Sequence, residues 1–529
     1  MSRLLPACFL SLMTIAVCAG PPAQAAFPPG FLWGTAISGF QTEMGGSPAS
    51  NDPNSDWWVW THDPANIAAG ITSGDLPEDG PAFYDRFASD IKLANRRLHS
   101  NALRLGIEWS RIFPTSTAGV DASGGITFAV LQQLDLLADQ SAVAHYRAVL
   151  EELRDRQMVP FVTLSHFSLP LWIHDPIAAH AAFATVGAND PVPTGFGPAG
   201  WLDPVTATEF AKYAAYAGWK FGELVDFWAP LNEPMVVPVS GYANIPSLLA
   251  SNFPPGVFSF TAILTVLTNE AVAQAGAYDA LKLWDTGDAD GDSESALVGL
   301  VHNMVFFRPQ RRGQPVDVAA TAHADYLYNR IWPNATILGD LDSNGNGTID
   351  PGEHRPELAG KADFVGLNYY FRAQALGLGA PVTPVLPLFD FLPTTSYTLC
   401  PSRCSDLGWE IWPDGLRSVL ATAGSYGLPV YITENGIADA DDHQRPAFVV
   451  QHLEVLEQAI ADGVADVRGY FHWSLMDNFE WVSGYQPMFG LYSLKPGTKN
   501  RKMRRSARFF ATIARDGTVP QRYRDRFPY

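Results

Sequence analysis

The sequence predicts an α/β protein, a single (β/α)8 TIM barrel with loop insertions, and three observations carry that prediction. Eight short apolar runs recur along the chain: Phe31–Ala36, Leu103–Ile107, Val159–Leu164, Phe227–Pro230, Leu297–His302, Phe364–Leu367, Pro429–Thr433 and Gly469–Trp473. Most are followed by an amphipathic stretch of helical period, and such alternation builds a parallel sheet with helices outside it. No linker-like shift in composition divides the chain, and α/β barrels run long as one domain.

The elements follow in order. Helical patterns cover Tyr84–Arg97, His145–Arg156, Pro204–Leu224, Ala262–Trp284, Val316–Trp332, Leu416–Ser425 and Pro446–Asp462, and Ser506–Arg515 closes the set. The ends of several strands carry polar or aromatic side chains: Gln41, His166, Asn232 with Glu233, Tyr370, Glu434, and the stretch from Trp473 to Trp481. A barrel of this kind keeps its site at the C-terminal face of the strands. Amides and carboxylates bind hydroxyls, while indole faces stack on the C–H face of a sugar ring.

Residues 1–26 stand apart from the barrel, which is expected to occupy residues 27–529. Arg3 supplies a positive start, Leu4–Val17 is mostly apolar, and Ala23, Gln24 and Ala25 offer small residues for cleavage. That pattern is a secretory signal peptide, too short for a stable membrane span. A lipoprotein site at Cys18 is the weaker alternative, since Val17 is bulky where a small residue is expected. The expected localisation is secreted or periplasmic, with no membrane partner after cleavage. Two of the four cysteines leave with the leader; Cys400 and Cys404 remain and are expected to pair in an oxidising compartment. The net charge of −19 excludes a phosphate-neutralising surface, so no nucleic-acid partner is expected. With 47% hydrophobic residues the chain fills a large core.

Two glutamates stand out. In Pro429–Gly436 (PVYITENG), a β-favouring run delivers Glu434 to a strand's C-terminal end, and Asn435-Gly436 stops the strand. In Phe227–Pro234 (FWAPLNEP), Glu233 is delivered in the same way. Two carboxylates on two strand ends suit acid/base and nucleophilic chemistry at an acetal. The plainer reading of either one alone is an ion-paired structural residue.

The ordered motifs resemble the family 1 glycoside hydrolases, the retaining β-glucosidases and β-galactosidases. They are FPPGFLWGTAISGFQTE (27–43), LRLGIEWSRIFP (103–114), TLSHFSLP (163–170), LNEP (231–234), FVGLNYY (364–370), ITENG (432–436) and WSLMDNFEW (473–481). The stretch from Asp52 to Gly80 is most similar to the broad-specificity archaeal-type β-glycosidases. The resemblance implies Glu233 as general acid/base and Glu434 as nucleophile. It implies Gln41, His166, Asn232, Glu480 and Trp481 as sugar-binding residues, Trp473 as a stacking floor and Phe489 as a wall. It also implies Tyr370 and Arg104 as supports of the nucleophile. Met488 and Ser168 depart from the usual pattern and are expected to touch the pocket rim. Glu480 stands where phospho-glycosidases of the family hold phosphate, so an unphosphorylated β-glucoside, and possible galactosides and fucosides, are the expected substrates. No cofactor is expected for catalysis. Two rival readings are a carbohydrate-binding pseudoenzyme and a transglycosylase; both carboxylates being present argues against the first.

A second motif lies outside the chemistry. Asp342–Glu353 (DSNGNGTIDPGE) matches the calcium loop D-x-[DN]-x-[DN]-G-x5-E. Asp342, Asn344, Asn346, Thr348, Asp350 and Glu353 are its expected ligands and Gly347 its turn. The alternative is an Asn/Gly-rich surface turn. Helix-to-strand loops lie at the barrel's N-terminal face, so Ca2+ there is expected to be structural. The acidic loop Asp288–Glu294 lacks that register and reads as a solvated turn, with a lent calcium ligand or a second site as the alternative.

Overall fold

The computed structural model describes residues 26–244, 252–379, 391–394, 403–495 and 497–529. All of the expected leader but its last residue lies outside them, as does Cys400. The strands are β1 (Leu32–Ala36), β2 (Ala102–Gly106), β3 (Val159–Ser165), β4 (Phe227–Leu231), β5 (Leu297–Val298), β6 (Leu300–Asn303), β7 (Phe306–Pro309), β8 (Val365–Tyr369), β9 (Arg372–Gly377), β10 (Phe391–Thr394), β11 (Val430–Asn435), β12 (Val467–Trp473), and the hairpin pair β13 (Tyr492–Leu494) and β14 (Arg501–Met503). Nine of them form one parallel sheet in the order β5-β4-β3-β2-β1-β12-β11-β8-β6. The two ends of that order, β5 and β6, are halves of the single apolar run Leu297–His302. The sheet therefore closes on itself as a (β/α)8 barrel, as expected.

The break falls at Gly299, and packing requires it. A Cβ there would meet the Phe364 ring at 2.2 Å. Beyond the break the ring is held by Glu233 N–H, which donates to Val301 C=O at 2.9 Å. Inside the barrel, Phe161, Phe227, Phe364, Tyr431 and Phe471 pack together. Phe161 meets Phe364 edge-on at 5.2 Å and Phe471 at 5.3 Å. This aromatic plug makes the barrel a filled core and leaves the strands' C-terminal ends as the place for a pocket.

The helices form where the pattern places them, within a few residues. Phe83–Leu98, Gln140–Asp155, Val205–Phe221, Phe260–Trp284, Pro413–Gly424, Arg445–Ala461 and Arg505–Asp516 lay apolar faces on the sheet. Side-chain caps fix two starts: Asp139 accepts from Ser141 N at 2.8 Å, and Ser259 from Ala262 N at 3.2 Å. Two features differ from expectation. The helix expected over Val316–Trp332 is regular only over Pro315–Asp325, then widens into a π turn over Tyr326–Arg330. There Asn329 turns inward, accepting from Val305 N at 2.9 Å and donating to Val305 O at 2.8 Å. The second is an excursion at the top of the barrel, a small sheet in the order β10-β9-β7. Among the described residues no helix is long and apolar enough to cross a membrane. Cys404 is disulfide-bonded.

Candidate active site

Glu233 and Glu434 come together at the C-terminal face. Glu434 is the fifth residue of β11, and Glu233 lies two residues beyond β4 with φ +47. That left-handed backbone is uncommon for a side chain with a Cβ, and it turns the carboxyl into the pocket. Both residues are buried, at 3% and 7% exposure. Asn368, at the end of β8, donates to Glu233 Oε1 at 2.6 Å, and Asn303 donates to the same oxygen at 3.4 Å. Glu434 has charged company instead: the Arg104 guanidinium bonds Oε1 and the Tyr370 hydroxyl bonds Oε2.

These surroundings divide one proton between the two acids. Burial raises both carboxyls. Arg104 and Tyr370 offset part of that rise for Glu434. Glu233 is pushed further up by the charge on Glu434, to about 8. The proton therefore rests on Glu233 while Glu434 stays ionised, the arrangement that proton donation plus nucleophilic attack needs.

The other expected sugar-binding residues surround this pair. Arg104 Nη2 donates to Asn232 Oδ1 at 2.6 Å, as does Asn368 Nδ2 at 3.3 Å. With its oxygen occupied, the Asn232 amide turns its nitrogen to His166 Nε2, 3.2 Å away. Burial and Arg104 hold His166 well below its usual pKa, so it is a neutral ring with Nε2 accepting. His166 stacks between Trp473 at 5.6 Å and Trp481 at 6.1 Å. Gln41 donates to Phe479 O at 2.9 Å, Asn478 Oδ1 at 3.2 Å and Glu480 Oε2 at 3.4 Å. Ser38 Oγ donates to Gln41 Oε1 at 2.7 Å and fixes the amide's sense. Burial first, then the charge of Glu434, push Glu480 up to about 8. Phe489 and Trp409 lie 6.1 Å and 5.7 Å from Tyr370, forming one wall.

Four participants were not singled out from sequence. Asn368 stands inside FVGLNYY, one position past an apolar run, and the strand-end rule that found Glu233 would have found it. Asn303 follows its run in the same way. Trp409 sits in a loop with no periodic signal. Glu108 lies beneath the pocket, accepting from Phe40 N at 3.0 Å and from Ser168 Oγ at 2.6 Å. Burial, with the charge of Glu43, raises it to about 8.

Of the departures Ser168 and Met488, the first requires correction. Ser168 is buried on Glu108 and does not form a rim. Met488 uses its carbonyl to accept from Arg445 Nη2 at 2.7 Å, and its sulfur lies 3.6 Å from Arg504. Ser168 is thus a support under the pocket, while Met488 is half-buried next to the wall residue Phe489.

At the opposite end of the barrel, the Asp342–Glu353 loop closes largely on its own groups. Asp342 is fully buried and accepts from Gly345 N at 2.7 Å, Gly347 N at 2.8 Å and the Tyr326 hydroxyl at 2.8 Å. Glu353 accepts from Ser343 N and Asp350 N, both at 2.9 Å. The Asn344 and Asn346 amides each meet Asp350 Oδ2 at 3.0 Å, while Thr348 N donates to Asn346 Oδ1 at 2.7 Å. Gly347 has φ +81, the turn the motif requires.

The model of glycosyl hydrolase family 1 matches residues 23–186 and 193–518. The chain belongs to that family. A β-galactosidase of Pyrococcus woesei is 40% identical over 94% of this chain and 98% of its own length. A β-galactosidase of Sulfolobus acidocaldarius is 37% identical over 94% and 96%. The crystal structure of the β-glycosidase from Thermosphaera aggregans superposes with a TM-score of 0.81 at 35% identity, covering 95% of this chain and 99% of that one. The family 1 chain is thus an O-glycosyl hydrolase of archaeal type, acting on β-glycosides with retention. Small glycosides are its substrates.

Proposed function

We propose that the protein is a secreted β-glycosidase that removes terminal, non-reducing, unphosphorylated β-D-glucosyl units, with galactosides and fucosides as further substrates. The observation that carries the substrate class is Glu480. A half-buried carboxyl beside Gln41 at the sugar floor exchanges hydrogen bonds with free hydroxyls and supplies no cation for a phosphate dianion.

The reaction runs by double displacement. Glu434 attacks the anomeric carbon while Glu233 gives its proton to the leaving oxygen. Asn232 holds the sugar 2-hydroxyl, and Trp473 supports the ring. Esterification removes the charge of Glu434, so Glu233, now ionised, no longer faces a neighbouring anion. It takes a proton from water, which attacks the glycosyl ester and frees Glu434. These steps need no cofactor, only two carboxyls at roughly 5–5.5 Å. Turnover of a panel of nitrophenyl glycosides tests the reading. The highest kcat/KM is expected on the glucoside; preference for the 6-phosphoglucoside would overturn it. Product ratios with an added alcohol distinguish hydrolysis from transglycosylation.

Export is supported by the leader pattern of residues 1–26 and by the Cys404 disulfide, expected to be with Cys400. Amino-terminal sequencing of exported protein should begin at Phe27. A structural Ca2+ on the Asp342 loop is supported by its oxygen donors and by the Gly347 turn. Against it, the loop's carboxylates already hold backbone N–H groups. Elemental analysis of wild type and Glu353→Gln decides this point.

A further inference from the structure

The turn that departs from regular helix stands two hydrogen bonds from the acid. Tyr326–Arg330 widens into a π turn, a geometry often found at functional sites. Three contacts join it to the end of β6 and the residues that follow. His302 Nε2 donates to Tyr328 C=O at 2.9 Å; burial lowers the pKa of this ring to about 4, so it is neutral. The Asn329 amide bonds both the N–H and the C=O of Val305. Between those anchors, the Tyr328 hydroxyl donates to Asn303 Oδ1 at 3.1 Å. The turn thus grips the chain on each side of Asn303.

Asn303 has the other end of its amide on the acid. Its Nδ2 donates to Glu233 Oε1 at 3.4 Å, the outer edge of a hydrogen bond. The oxygen and nitrogen ends of an amide are nearly alike in shape, so its partners decide which way it faces. Glu233 by itself does not decide it. An ionised carboxylate accepts from the N–H end, whereas a protonated carboxyl donates to the oxygen end. The acid passes through both states in each turnover, so an unheld amide is free to turn with it. Tyr328 sets the sense. Burial first, then the charge of Glu233, hold its phenol well above the ordinary value, so the hydroxyl keeps its proton. Turning the amide over would put N–H against that O–H.

We propose that Tyr328 is a positioning residue for the acid/base, its hydroxyl locking the Asn303 amide with Nδ2 toward Glu233 throughout the reaction. The proposal rests on Glu233 being the acid. With the amide locked, the N–H groups of Asn303 and Asn368 meet the same Glu233 Oε1. Two donors on Oε1 leave Oε2 to carry the proton. Both favour the ionised carboxylate, and so hold the acid's pKa down against the burial that raises it. Without the lock, Asn303 Oδ1 would face the carboxyl, favour its protonated form and make it a poorer proton donor.

The test compares pH profiles of kcat/KM on a nitrophenyl β-glucoside for wild type, Tyr328→Phe, Asn303→Ala and the double variant, with melting temperatures alongside. Tyr328→Phe keeps the ring and removes only the hydroxyl. Its descending limb, set by Glu233, should move up by about 0.5–1 pH unit. The ascending limb, set by Glu434, should stay in place, because Arg104, Tyr370 and Asn368 are untouched. Asn303→Ala should shift the descending limb likewise, and adding Tyr328→Phe to it should move that limb no further. A lower Tm and a smaller bell with both limbs in place would make Tyr328 structural only and overturn the proposal. So would a Tyr328→Phe shift that persists undiminished in the Asn303→Ala background. Glu233→Ala checks the acid assignment separately, since it should lose the descending limb. If it keeps that limb, the acid assignment fails and the proposal with it. If it loses the limb while Tyr328→Phe leaves it unmoved, the role of Tyr328 alone fails.

Discussion

Replacing Asn368 with alanine removes an amide that holds the acid of the pair. Asn368 Nδ2 donates to Glu233 Oε1 at 2.6 Å, and its Oδ1 accepts from Thr433 Oγ1 at 2.6 Å. A hydrogen bond to a carboxylate is worth about 1.5–3 kcal/mol, and one pKa unit is about 1.4 kcal/mol. The bond favours the charged form, so its loss raises the pKa. Glu233, already at about 8, should rise further by about 1–2 units, less whatever water entering the vacated space returns. Glu434 should rise too, because Asn368 also favours its charged form. The ascending limb of kcat/KM reports Glu434 ionising and the descending limb reports Glu233 losing its proton. Both limbs should move to higher pH in Asn368→Ala, with kcat/KM at neutral pH falling about tenfold or more. The assay is kcat/KM on a nitrophenyl β-glucoside across roughly pH 4 to 10. A bell that shrinks while both limbs stay in place would refute the reasoning and leave Asn368 as packing alone.

Three other outcomes are expected. Glu434→Gly should lower kcat by at least about 10^4, and a fluoroglycoside inactivator should label the peptide carrying Glu434; label elsewhere sinks that assignment. Glu233→Ala should slow poor leaving groups by about 10^2–10^4 and activated aryl groups far less, with azide restoring turnover as the β-azide; equal losses contradict an acid role. Glu108→Gln should flatten the pH dependence of stability. The folded carboxyl sits at about 8 against an ordinary 4.5, so its contribution is full below 4.5 and lost as pH rises to 8. The loss amounts to at most about 1.4 kcal/mol per pH unit. Melting temperatures of wild type and Glu108→Gln that decline in parallel over that window would show that this proton is not responsible.

The barrel was legible because continuous apolar runs and period-3.6 patterns are local and each strand is buried on both sides. Local pattern misleads where tertiary contacts decide. Leu297–His302 reads as one strand, yet Phe364 presses on Gly299 and splits it into two pairings. Val316–Trp332 reads as one helix, yet Asn329 bonds across to the backbone of Val305 and widens a turn. The small sheet of β7, β9 and β10 stood outside the eight-fold pattern. The Asp288–Glu294 loop meets Asp226, a residue far away in sequence, so that loop read by itself leaves a solvated turn and a lent calcium ligand both open.

The candidate site was legible where chemistry and strand end coincide, as at Glu233 and Glu434, and less so where a residue acts through another. Arg104 shows why the supporting residues matter as much as the acids. Its guanidinium meets Glu434 and donates to Asn232 Oδ1 at 2.6 Å and Thr163 Oγ1 at 3.2 Å, tying together groups from four strands. One buried cation can balance one carboxylate, and two carboxyls share its surroundings. The second must keep its proton until the first loses its charge. Attack on the sugar turns Glu434 into a neutral ester at the moment Glu233 gives up its proton, so the pocket holds one negative charge before and after. Glu233 is then the sole anion beside Arg104, and no like charge opposes it. The same charge count that makes Glu233 an acid in the first half-reaction makes it a base in the second.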